Sequence, residues 1–525
     1  MKSQSRFAVS AISQSVALAI AASAMLAPAL AEDTVRVIVA YKSGFSSAMN
    51  AESAVLAGRG QVQLKIAGTR AMAVEMPASA VAALRKNPHV EYVEEDVKRY
   101  PLSLSTPSTG TPYLAGQQVP YGIKMVQADQ LPSGDSLVSN RKICIIDSGY
   151  DRAHEDLAAN NVSGEYDPDG SGWWYSDEKG HGTHVAGTIA AINNSGVGVV
   201  GVNPNKQLRL HIVKVFGKDG WTYSSSLANA ANKCKAAGAN VVTMSLGGGA
   251  KSTTEQRAFD SLQSAGILSI AAAGNDGNTT LSYPASYSSV MSVAAIDENK
   301  AWASFSQYNS EVEIAAPGVG VLSTVPTGTG VTIALSVAGS SYAASEITGS
   351  PVKKATAALA DFGIGDAVNS AAAGKVCLIA RGSIDFGTKV SNCEKSGGVG
   401  AIVYNNVATP ISATLGTTVS TIPSVFVSDV TGATLKAKLG QSATVALSPS
   451  NYGYKDGTSM ATPHVSAVAA LVWSYFPSCT GSQIRTTLTK SAIDLGDPGR
   501  DDKYGYGLIQ ARAAYDRIKL KGCGK

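Results

Sequence analysis

The stretch Gly457-Thr458-Ser459-Met460-Ala461-Thr462-Pro463-His464-Val465 leads into an apolar run over residues 466–475. We predict a loop that leads into a buried helix, with Pro463 in the first helical turn, where a missing N–H costs nothing. Ser459 then lies at a helix N-terminus, where backbone N–H groups lack partners and favour negative charge. A serine there can attack a carbonyl while its own N–H stabilises the oxyanion. Taken alone, it could also be an ordinary N-cap.

Two upstream segments carry groups that could activate such a serine. Residues 142–146 are apolar and precede Asp147, which predicts a buried parallel strand with the carboxylate at its carboxyl edge. Residues 180–187 begin with Gly-His-Gly, which predicts a helix that starts with His181 between glycines. Histidine is the usual general base near neutral pH. Taken singly, Asp147 could be a strand-end cap and His181 a packed or metal-bound histidine.

In the chain order Asp147, His181, Ser459, these segments resemble the subtilisin-like serine proteases, the subtilase (peptidase S8) family, for which subtilisin is the standard worked case of this triad order. The resemblance implies that Ser459 is the nucleophile, that His181 transfers its proton and that Asp147 orients the imidazole. It also implies that Asn275 donates to the oxyanion beside the Ser459 N–H. Without the triad, Asn275 could equally be a turn residue beside a glycine.

Length and composition bound the domain organisation. With 525 residues, 44% hydrophobic and 16% charged, the chain can bury one large core and one or two smaller ones. A net charge of +4 over this length indicates neither nucleic acid nor an anionic membrane as a partner. Residues 1–31 combine Lys2, Arg6 and an interrupted apolar run that ends Ala29-Leu30-Ala31, so we predict a cleaved signal peptide and a secreted, extracellular protein. No later stretch is apolar enough to span a bilayer.

Residues 34–99 alternate strand-like and helical runs in the order strand, helix, strand, strand, helix, strand. This order predicts a small α+β unit of the split βαβ type. Its last residues, 90–96, resemble the end of the inhibitory propeptide of subtilases, and we assign residues 32–99 to it. The resemblance implies that the propeptide assists folding, fills the cleft with its C-terminus and is then removed; the alternative is an ordinary N-terminal domain. Residues 100–116 are rich in Pro, Ser, Thr and Gly, which predicts an exposed linker that contains the processing site.

Residues 117–328 and 450–525 carry the pattern of a catalytic domain. Strand-like and helical runs alternate, which is typical of an α/β fold with a parallel sheet covered on both faces. The resemblance implies the subtilisin-like doubly wound, mostly parallel sheet. The predicted strands are 142–146, 210–216, 241–245, 267–272 and 291–295, and the predicted helices are 184–192, 224–237 and 253–265.

Residues 329–449 interrupt this domain. Segments 374–382, 389–394, 397–406 and 422–427 resemble an inserted, β-rich protease-associated (PA) domain. Its termini must lie close together for the host sheet to close. A lid or substrate-binding role and a purely stabilising role both remain open.

The resemblance also implies a substrate cleft in which the peptide lies extended between backbone edges. A small neutral floor between apolar walls predicts broad specificity, with large uncharged side chains preferred before the scissile bond. One wall of this pocket is Ser245, Leu246, Gly247 and Gly248, the other is Ala272, Ala273 and Gly274, and the floor is Ser282.

A structural calcium ion follows from the resemblance as well, and no catalytic cofactor is expected. Oxygen donors suit Ca²⁺. A catalytic zinc ion on His181 and His184 is the alternative, but no Glu adjoins them in metalloprotease spacing and no third ligand suggests itself. The predicted calcium ligands are the side chains of Gln117, Asp156 and Asn194 and the carbonyls of Ile192, Gly196 and Gly198.

Six cysteines in an exported chain indicate disulfides. Cys377 and Cys393 both lie in the insertion, and Cys479 and Cys523 both lie near the C-terminus. This leaves Cys144 with Cys234, although a buried free cysteine beside Asp147 remains an alternative.

The sequence therefore predicts a secreted, autoprocessed serine endopeptidase, a monomer whose partners are protein or peptide substrates and its own propeptide, without nucleic acid or membrane. A secreted binding protein that uses the cleft as a scaffold is one alternative, and the intact triad argues against it. A serine esterase with the same nucleophile is the other, and relative rates on amides and esters would separate it.

Overall fold

The computed structural model describes residues 33–102, 104–105, 117–131, 141–167, 171–194, 196–407 and 413–525. The predicted signal peptide and most of the predicted linker lie outside these residues. We name the parts of the chain as follows: the N-terminal unit (residues 33–97), the cleft segment (98–102), the main domain (117–329 and 451–525) and the inserted unit (330–450).

The main domain is built on a sheet of seven parallel strands. The chain enters near the middle with Lys142–Asp147, extends the sheet in one direction and then returns to build the other side from Val241–Met244. Ligand sites in such sheets lie at this reversal, outside the carboxyl ends of the strands. In spatial order the strands are Val312–Pro317, Val290–Ile296, Leu268–Ala272, Val241–Met244, Lys142–Asp147, Arg209–Lys214 and Asn161–Gly164.

Helices cover both faces of the sheet, which confirms the predicted doubly wound α/β fold. In the strand Lys142–Asp147, successive side chains point to opposite faces of the sheet. Ile145 packs in one apolar cluster with Val465, and Ile146 packs in another with Phe259. Among helices of the described residues, none combines the length and hydrophobicity needed to cross a bilayer. The helices of the main domain are Tyr121–Met125, His181–Ala190, Ser224–Ala236, Thr253–Ser264, Thr458–Tyr475, Gly481–Lys490 and Ala511–Lys521.

The helix Thr458–Tyr475 begins earlier than predicted, so Pro463 lies inside it rather than in its first turn. Proline at this position cannot donate to the carbonyl four residues before it, which belongs to Ser459. That carbonyl instead accepts a hydrogen bond from the Ser245 hydroxyl at 2.8 Å. The side chain of a distant strand end thus replaces the missing N–H, and a local pattern could not reveal it.

The N-terminal unit is a four-stranded antiparallel sheet with two helices, as its predicted element order requires. One face packs on its own helices, and the other packs on the main domain, where Ile38 and Ile66 share an apolar cluster with Leu227 and Phe259. The strands lie in the order Gln61–Lys65, Ala71–Pro77, Thr34–Tyr41 and Val90–Glu95, and the helices are Phe45–Ala57 and Val81–Arg85, the second preceded by the 3₁₀ turn Ala78–Ala80.

The inserted unit is a nine-stranded mixed sheet with two helices, Phe386–Lys395 and Asp429–Lys436. Gly330 pairs with Ser450, so the ends of the unit lie side by side, as the closure of the host sheet requires. The strands in spatial order are Ser340–Tyr342, Gly330–Val337, Ser442–Ser450, Lys354–Asp361, Val376–Ala380, Gly400–Tyr404, Ser424–Val427, Ser345–Thr348 and Ala413–Thr414.

Two small sheets line the crevice of the main domain, and both include residues upstream of it. Lys98–Pro101 lies between Thr222–Tyr223 and Leu246–Gly247, and Leu104–Ser105 pairs with Tyr452–Asp456, whose other neighbour is Val321–Thr324. The predicted exposed linker therefore begins too early, because residues 100–102 and 104–105 are extended in the crevice. A further hairpin joins Tyr166–Asp167 and Gly172–Trp173.

All six cysteines are paired. The structure joins Cys144 to Cys234, Cys377 to Cys393 and Cys479 to Cys523, which are the expected pairs and leave no free cysteine. The first bridge ties the strand that ends in Asp147 to the helix Ser224–Ala236. The alternative of a free Cys144 is therefore wrong.

Candidate active site

Asp147 and His181 form a buried pair at the carboxyl end of the strand Lys142–Asp147. The distance from His181 Nδ1 to Asp147 Oδ1 is 2.7 Å, and both side chains are buried. The same oxygen accepts the Ser148 N–H at 2.7 Å. An ionised carboxylate only accepts hydrogen bonds, so Nδ1 carries the proton and Nε2 is left as the basic nitrogen.

The helix His181–Ala190 places this histidine through its N-terminal contacts. The Asp177 carboxylate accepts from the N–H groups of Gly180, at 2.9 Å, and Thr183, at 2.8 Å, which satisfies free donors of the first turn. Gly182 lies so close to the strand end that a Cβ there would come within 2.2 Å of the Gly149 carbonyl oxygen. The glycine that follows His181 therefore allows a close approach of the two backbones.

Ser459 is the second residue of its helix and is fully buried. Its hydroxyl donates to the Ser245 carbonyl at 2.9 Å, while His181 Nε2 has no hydrogen-bond partner among the described residues. The Asp147–His181 hydrogen bond is thus formed and the Ser459–His181 hydrogen bond is not. Such contacts often tighten only when the reacting complex forms.

The backbone carbonyl of Leu102 lies next to Ser459, between two hydrogen-bond donors. Asn275 Nδ2 donates to it at 2.7 Å and the Ser459 N–H donates at 3.3 Å. Thr458 orients the amide, because its N–H and hydroxyl donate to Asn275 Oδ1 at 2.9 and 2.8 Å. These contacts assign the amide orientation, so that Nδ2 faces the carbonyl. The two donors predicted for the oxyanion therefore converge on one carbonyl oxygen.

The cleft segment lies between two backbone edges as the middle strand of a three-stranded antiparallel sheet. Leu246 pairs with Pro101 and Gly247 with Tyr100, and the Leu102 N–H donates to the Ser245 carbonyl at 3.2 Å. The predicted wall 245–248 thus provides one edge by main-chain hydrogen bonds.

The predicted pocket surrounds the Leu102 side chain only in part. A Cβ on Gly247 would come within 2.5 Å of Ser282 Oγ and 3.0 Å of Leu102 Cδ1, so wall, floor and side chain meet here. A cavity of about 1040 Å³ extends from this point along the cleft. Of the second predicted wall, Ala272 and Ala273 are buried. Gly274, with φ of 116°, is backed by the Gln307 amide, which no pattern in the sequence had marked.

His184 has a structural environment. Its Nε2 lies 3.0 Å from the Val321 carbonyl and 3.2 Å from the Gly453 carbonyl. Burial, with Lys455 and His181 nearby, holds the pKa of His184 well below its usual value. A neutral imidazole that donates to these carbonyls joins the two small strands beside the crevice, so His184 has a packing role.

Two of the predicted calcium ligands, Ile192 and Asn194, lie next to Gln117. Its Nε2 lies 3.0 Å from the Ile192 carbonyl, 3.1 Å from Asn194 Oδ1 and 3.3 Å from the Val199 carbonyl. Three oxygens around one amide group, with the Gln117 amide oxygen able to turn inward, form a donor set that fits Ca²⁺.

Two of the predicted carbonyl ligands stand apart from this arrangement. The Gly198 carbonyl accepts the Gln118 N–H at 2.7 Å, so Val199 takes its place around Gln117. Gly196 is exposed. Asp156 adjoins the group, since its carboxylate accepts from Asn194 Nδ2 at 2.7 Å and from the Val199 N–H at 2.8 Å. Among the described residues, no cluster of three His, Cys, Asp or Glu side chains could hold a metal.

The sequence did not reveal several residues that shape this site. Thr222–Tyr223 forms the second edge of the cleft, and the high β-propensity of the preceding Trp221 and of these two residues is the signal that could have indicated a strand. Leu102 and Thr458 carried no local signal, because their roles depend on contacts with residues more than a hundred positions away.

Comparison with known protein families gives a match over most of the chain. The family model described as the subtilase family matches residues 139–357 and 373–507. Subtilisin amylosacchariticus of Bacillus subtilis subsp. amylosacchariticus is 38% identical over 303 residues, which cover 55% of this chain and 74% of that protein. The alkaline protease of Alkalihalobacillus alcalophilus is 38% identical over 288 residues, which cover 53% of this chain and 70% of that protein.

Solved structures show the same likeness. The psychrophilic subtilisin-like protease Apa1 from the Antarctic psychrotroph Pseudoalteromonas sp. AS-11 is 46% identical with a TM-score of 0.62, and the match covers 78% of this chain and all (100%) of that one. Fervidolysin from Fervidobacterium pennivorans, a keratinolytic enzyme related to subtilisin, is 22% identical with a TM-score of 0.60 and covers 92% of this chain and 61% of that one. At the lower identity the likeness concerns the fold alone.

Proposed function

The chain belongs to the subtilase family of serine endopeptidases, and from this premise we propose that it matures by cutting its own chain between Leu102 and Ser103. The observation that carries the proposal is the Leu102 carbonyl, held by the Asn275 amide and the Ser459 N–H next to the serine hydroxyl. Family membership favours an endopeptidase over the binding-protein and esterase alternatives.

The proposed reaction uses the residues of the candidate site. Ser459 Oγ attacks the carbonyl carbon of Leu102, and His181 Nε2 takes the hydroxyl proton. The negative charge that develops on the Leu102 oxygen is stabilised by the two donors that already contact it. Asp147 keeps the imidazole in the required tautomer and stabilises its positive form. His181 then protonates the leaving amine of Ser103, and water hydrolyses the acyl-enzyme.

One rearrangement must precede this attack. The Ser459 hydroxyl donates to the Ser245 carbonyl, so it must turn away from this carbonyl to donate to His181 Nε2. The carbonyl of Ser245 also accepts the Leu102 N–H, which holds the segment in place while the hydroxyl turns. The arrangement therefore supports a precursor that is bound and ready for cleavage.

The same contacts support the role of the N-terminal unit as an intramolecular inhibitor. The cleft segment fills the substrate position with its main chain paired on both edges, and Leu102 places a large uncharged side chain next to Gly247. We propose that protein and peptide substrates bind in the same way once the N-terminal unit has left. Secretion through residues 1–31 and a PA-type role for the inserted unit remain proposals from the sequence.

Calcium is the proposed structural cofactor. Gln117, Asn194 and the carbonyls of Ile192 and Val199 would hold it, and bound calcium would supply positive charge to these converging oxygens. It would join the start of the main domain to the loop after the His181 helix. None of the catalytic steps above passes through it.

The proposal is tested by intact mass and N-terminal sequence of the purified protein beside two variants, Ser459→Ala and Ser482→Ala. Ser482 is an exposed serine on another helix, so its variant controls for the loss of a hydroxyl. We expect the wild type and Ser482→Ala to begin at Ser103 and Ser459→Ala to keep the N-terminal unit.

Two outcomes would contradict the proposal. Equal processing of Ser459→Ala at the same bond would mean that another protease cuts the chain. A mature wild-type protein that begins elsewhere, with Leu102–Ser103 never cut, would mean that the Leu102 carbonyl is bound but is not the scissile group.

A further inference from the structure

Of the five residues in the cleft segment, Arg99 is the one that is fully buried. Leu102 is half-buried and Arg99 is fully buried, at 0% exposure, whereas Lys98 and Tyr100 are exposed. Exposure alternates over Lys98, Arg99 and Tyr100 because successive side chains of an extended strand point to opposite sides. If the chain is cut after Leu102, as proposed above, Arg99 is the fourth residue before the scissile bond. The pocket that holds Arg99 would then bind the side chain at that position of any substrate.

The pocket that holds Arg99 contains one buried carboxylate. Arg99 Nε donates to Glu255 Oε1 at 3.1 Å, and Arg99 Nη2 donates to Glu255 Oε2. Nη2 also donates to the Ala250 carbonyl at 2.9 Å. Glu255 is 0% exposed, and among the described residues Arg99 is the one cation recorded in an ion pair with it. The contact is the two-pronged arrangement that matches a guanidinium to a carboxylate.

Glu255 could instead be only a helix-capping residue, because Ser252 and Glu255 stand in the spacing of a capping box. The Ser252 hydroxyl does accept the Glu255 N–H at 3.2 Å. The return contact is missing, however, since the Ser252 N–H donates to the Tyr287 hydroxyl at 3.0 Å and not to Glu255. The Glu255 carboxylate turns away from the helix start and into the cleft, where the Tyr287 hydroxyl lies 3.1 Å from Oε2.

Maturation removes Arg99 together with the N-terminal unit. A buried carboxylate without its partner is unfavourable, and a ligand that restores the partner is favoured over one that leaves it unpaired. An apolar side chain in this pocket would cover Glu255 without replacing the lost hydrogen bonds. A lysine would supply one charge but not the fork that reaches both Glu255 and the Ala250 carbonyl.

We propose that Glu255 is a specificity-determining residue that selects substrates with arginine at the fourth position before the scissile bond. Gly248 belongs to the same subsite, since a Cβ there would come within 2.7 Å of the Lys98 carbonyl oxygen and 3.3 Å of Arg99 Nη1. The enzyme then reads two positions: a large uncharged side chain directly before the cut and an arginine three residues further upstream. The inference rests on the proposed function, because the numbering of positions depends on cleavage after Leu102.

The test uses the mature enzyme and two internally quenched peptides. One has the sequence of residues 98–105, Lys-Arg-Tyr-Pro-Leu-Ser-Leu-Ser, and the other has leucine in place of arginine. We expect kcat/KM to be at least about tenfold higher for the arginine peptide, with both cut at the Leu–Ser bond. In Glu255→Gln this ratio falls towards one, and in Glu255→Leu it inverts.

Glu298→Gln is the matched control, because it removes an exposed carboxylate that borders a separate depression beside Tyr121 and Lys124, and it should keep the wild-type ratio. Ratios within one enzyme preparation cancel any misfolded fraction of a variant. Equal kcat/KM for both peptides with the wild type overturns the inference and leaves the endopeptidase intact. An unchanged ratio in Glu255→Leu also overturns it. If the wild type cuts neither peptide, the inference and the proposed function fail together.

Discussion

The N-terminal unit and the inserted unit are both attached to the main domain, but they contact it in different ways. The apolar face of the N-terminal sheet joins a cluster of the main domain, in which Ile38 and Ala40 pack together with Leu227 and Phe259. The two apolar clusters of the inserted unit contain only residues between 331 and 447. One unit therefore completes the core of its host, and the other closes a core of its own.

Polar contacts repeat this difference. Asp96, at the end of the N-terminal unit, accepts from the N–H and the hydroxyl of Ser225, at 3.0 and 2.6 Å, and so caps a helix of the main domain. Glu94 does the same for the next helix, through the N–H groups of Thr253 and Thr254. In the inserted unit, Asp385 caps the helix that directly follows it. The N-terminal unit therefore supplies hydrogen-bond acceptors for the free N–H groups of two helices in the main domain, whereas Asp385 caps a helix of its own unit.

Deletion of the N-terminal unit and deletion of the inserted unit should have different effects on activity, and this is the largest difference that we expect. Removing residues 33–102 while keeping residues 1–32 should lower the yield of active enzyme by more than about a hundredfold, because two helix ends and an apolar face lose their partner during folding. Removing residues 330–450, with Thr329 joined to Asn451 by a short glycine linker, should retain activity on a small peptide within a few fold, because Gly330 and Ser450 are paired neighbours. Activity per mole of purified protein is the measurement.

The Ser459→Ala full chain controls for self-digestion in both deletions. Full activity without residues 33–102 would contradict the idea that this unit completes the host. Loss of the fold without residues 330–450 would contradict the independence of the inserted unit.

Two single substitutions at capping residues should lower the free energy of unfolding by different amounts in the two units. In the Ser459→Ala background, Asp96→Ala should lower the free energy of unfolding by about 2–4 kcal/mol, because its buried carboxylate accepts hydrogen bonds from another unit and pairs with Arg36 at 2.9 Å. Asp385→Ala, an exposed cap within one unit, should cost about 1 kcal/mol. Denaturant unfolding measures both, and equal costs would remove the distinction.

Calcium removal should destabilise the main domain independently of the inserted unit. If calcium is held at about 100 times its Kd, chelation should cost about 2.7 kcal/mol in the main domain, because only the folded state orders the oxygens around Gln117. The thermal midpoint of the Ser459→Ala chain should fall by the same amount with or without residues 330–450. Asn194→Ala should make the midpoint insensitive to the chelator, and a persistent calcium effect in that variant would place the ion elsewhere.

The elements of the main sheet were predictable because the pattern that encodes them is local. Strands buried on both faces are continuous apolar runs, so the predicted strand 241–245 and the observed Val241–Met244 differ by one residue. The start of the helix Thr458–Tyr475 was not predictable, because the Ser245 hydroxyl compensates for Pro463 from a distant strand end. The predicted linker failed at residues 100–102 and 104–105 for a related reason, since main-chain pairing with the cleft edges does not depend on the side-chain pattern.

The α/β fold could be predicted from the sequence alone, and Asp147, His181 and Ser459 could be singled out as candidate catalytic residues, because periodicity, strand ends and helix starts are local properties. The tertiary structure was needed to show which carbonyl accepts hydrogen bonds from the Asn275 amide and the Ser459 N–H, and which residue pairs with the carboxylate of Glu255. Leu102 lies 173 positions before Asn275, and Arg99 lies 156 positions before Glu255. Contacts over such distances depend on the order of strands in the sheet and on the path of the chain across it, and no local pattern encodes either.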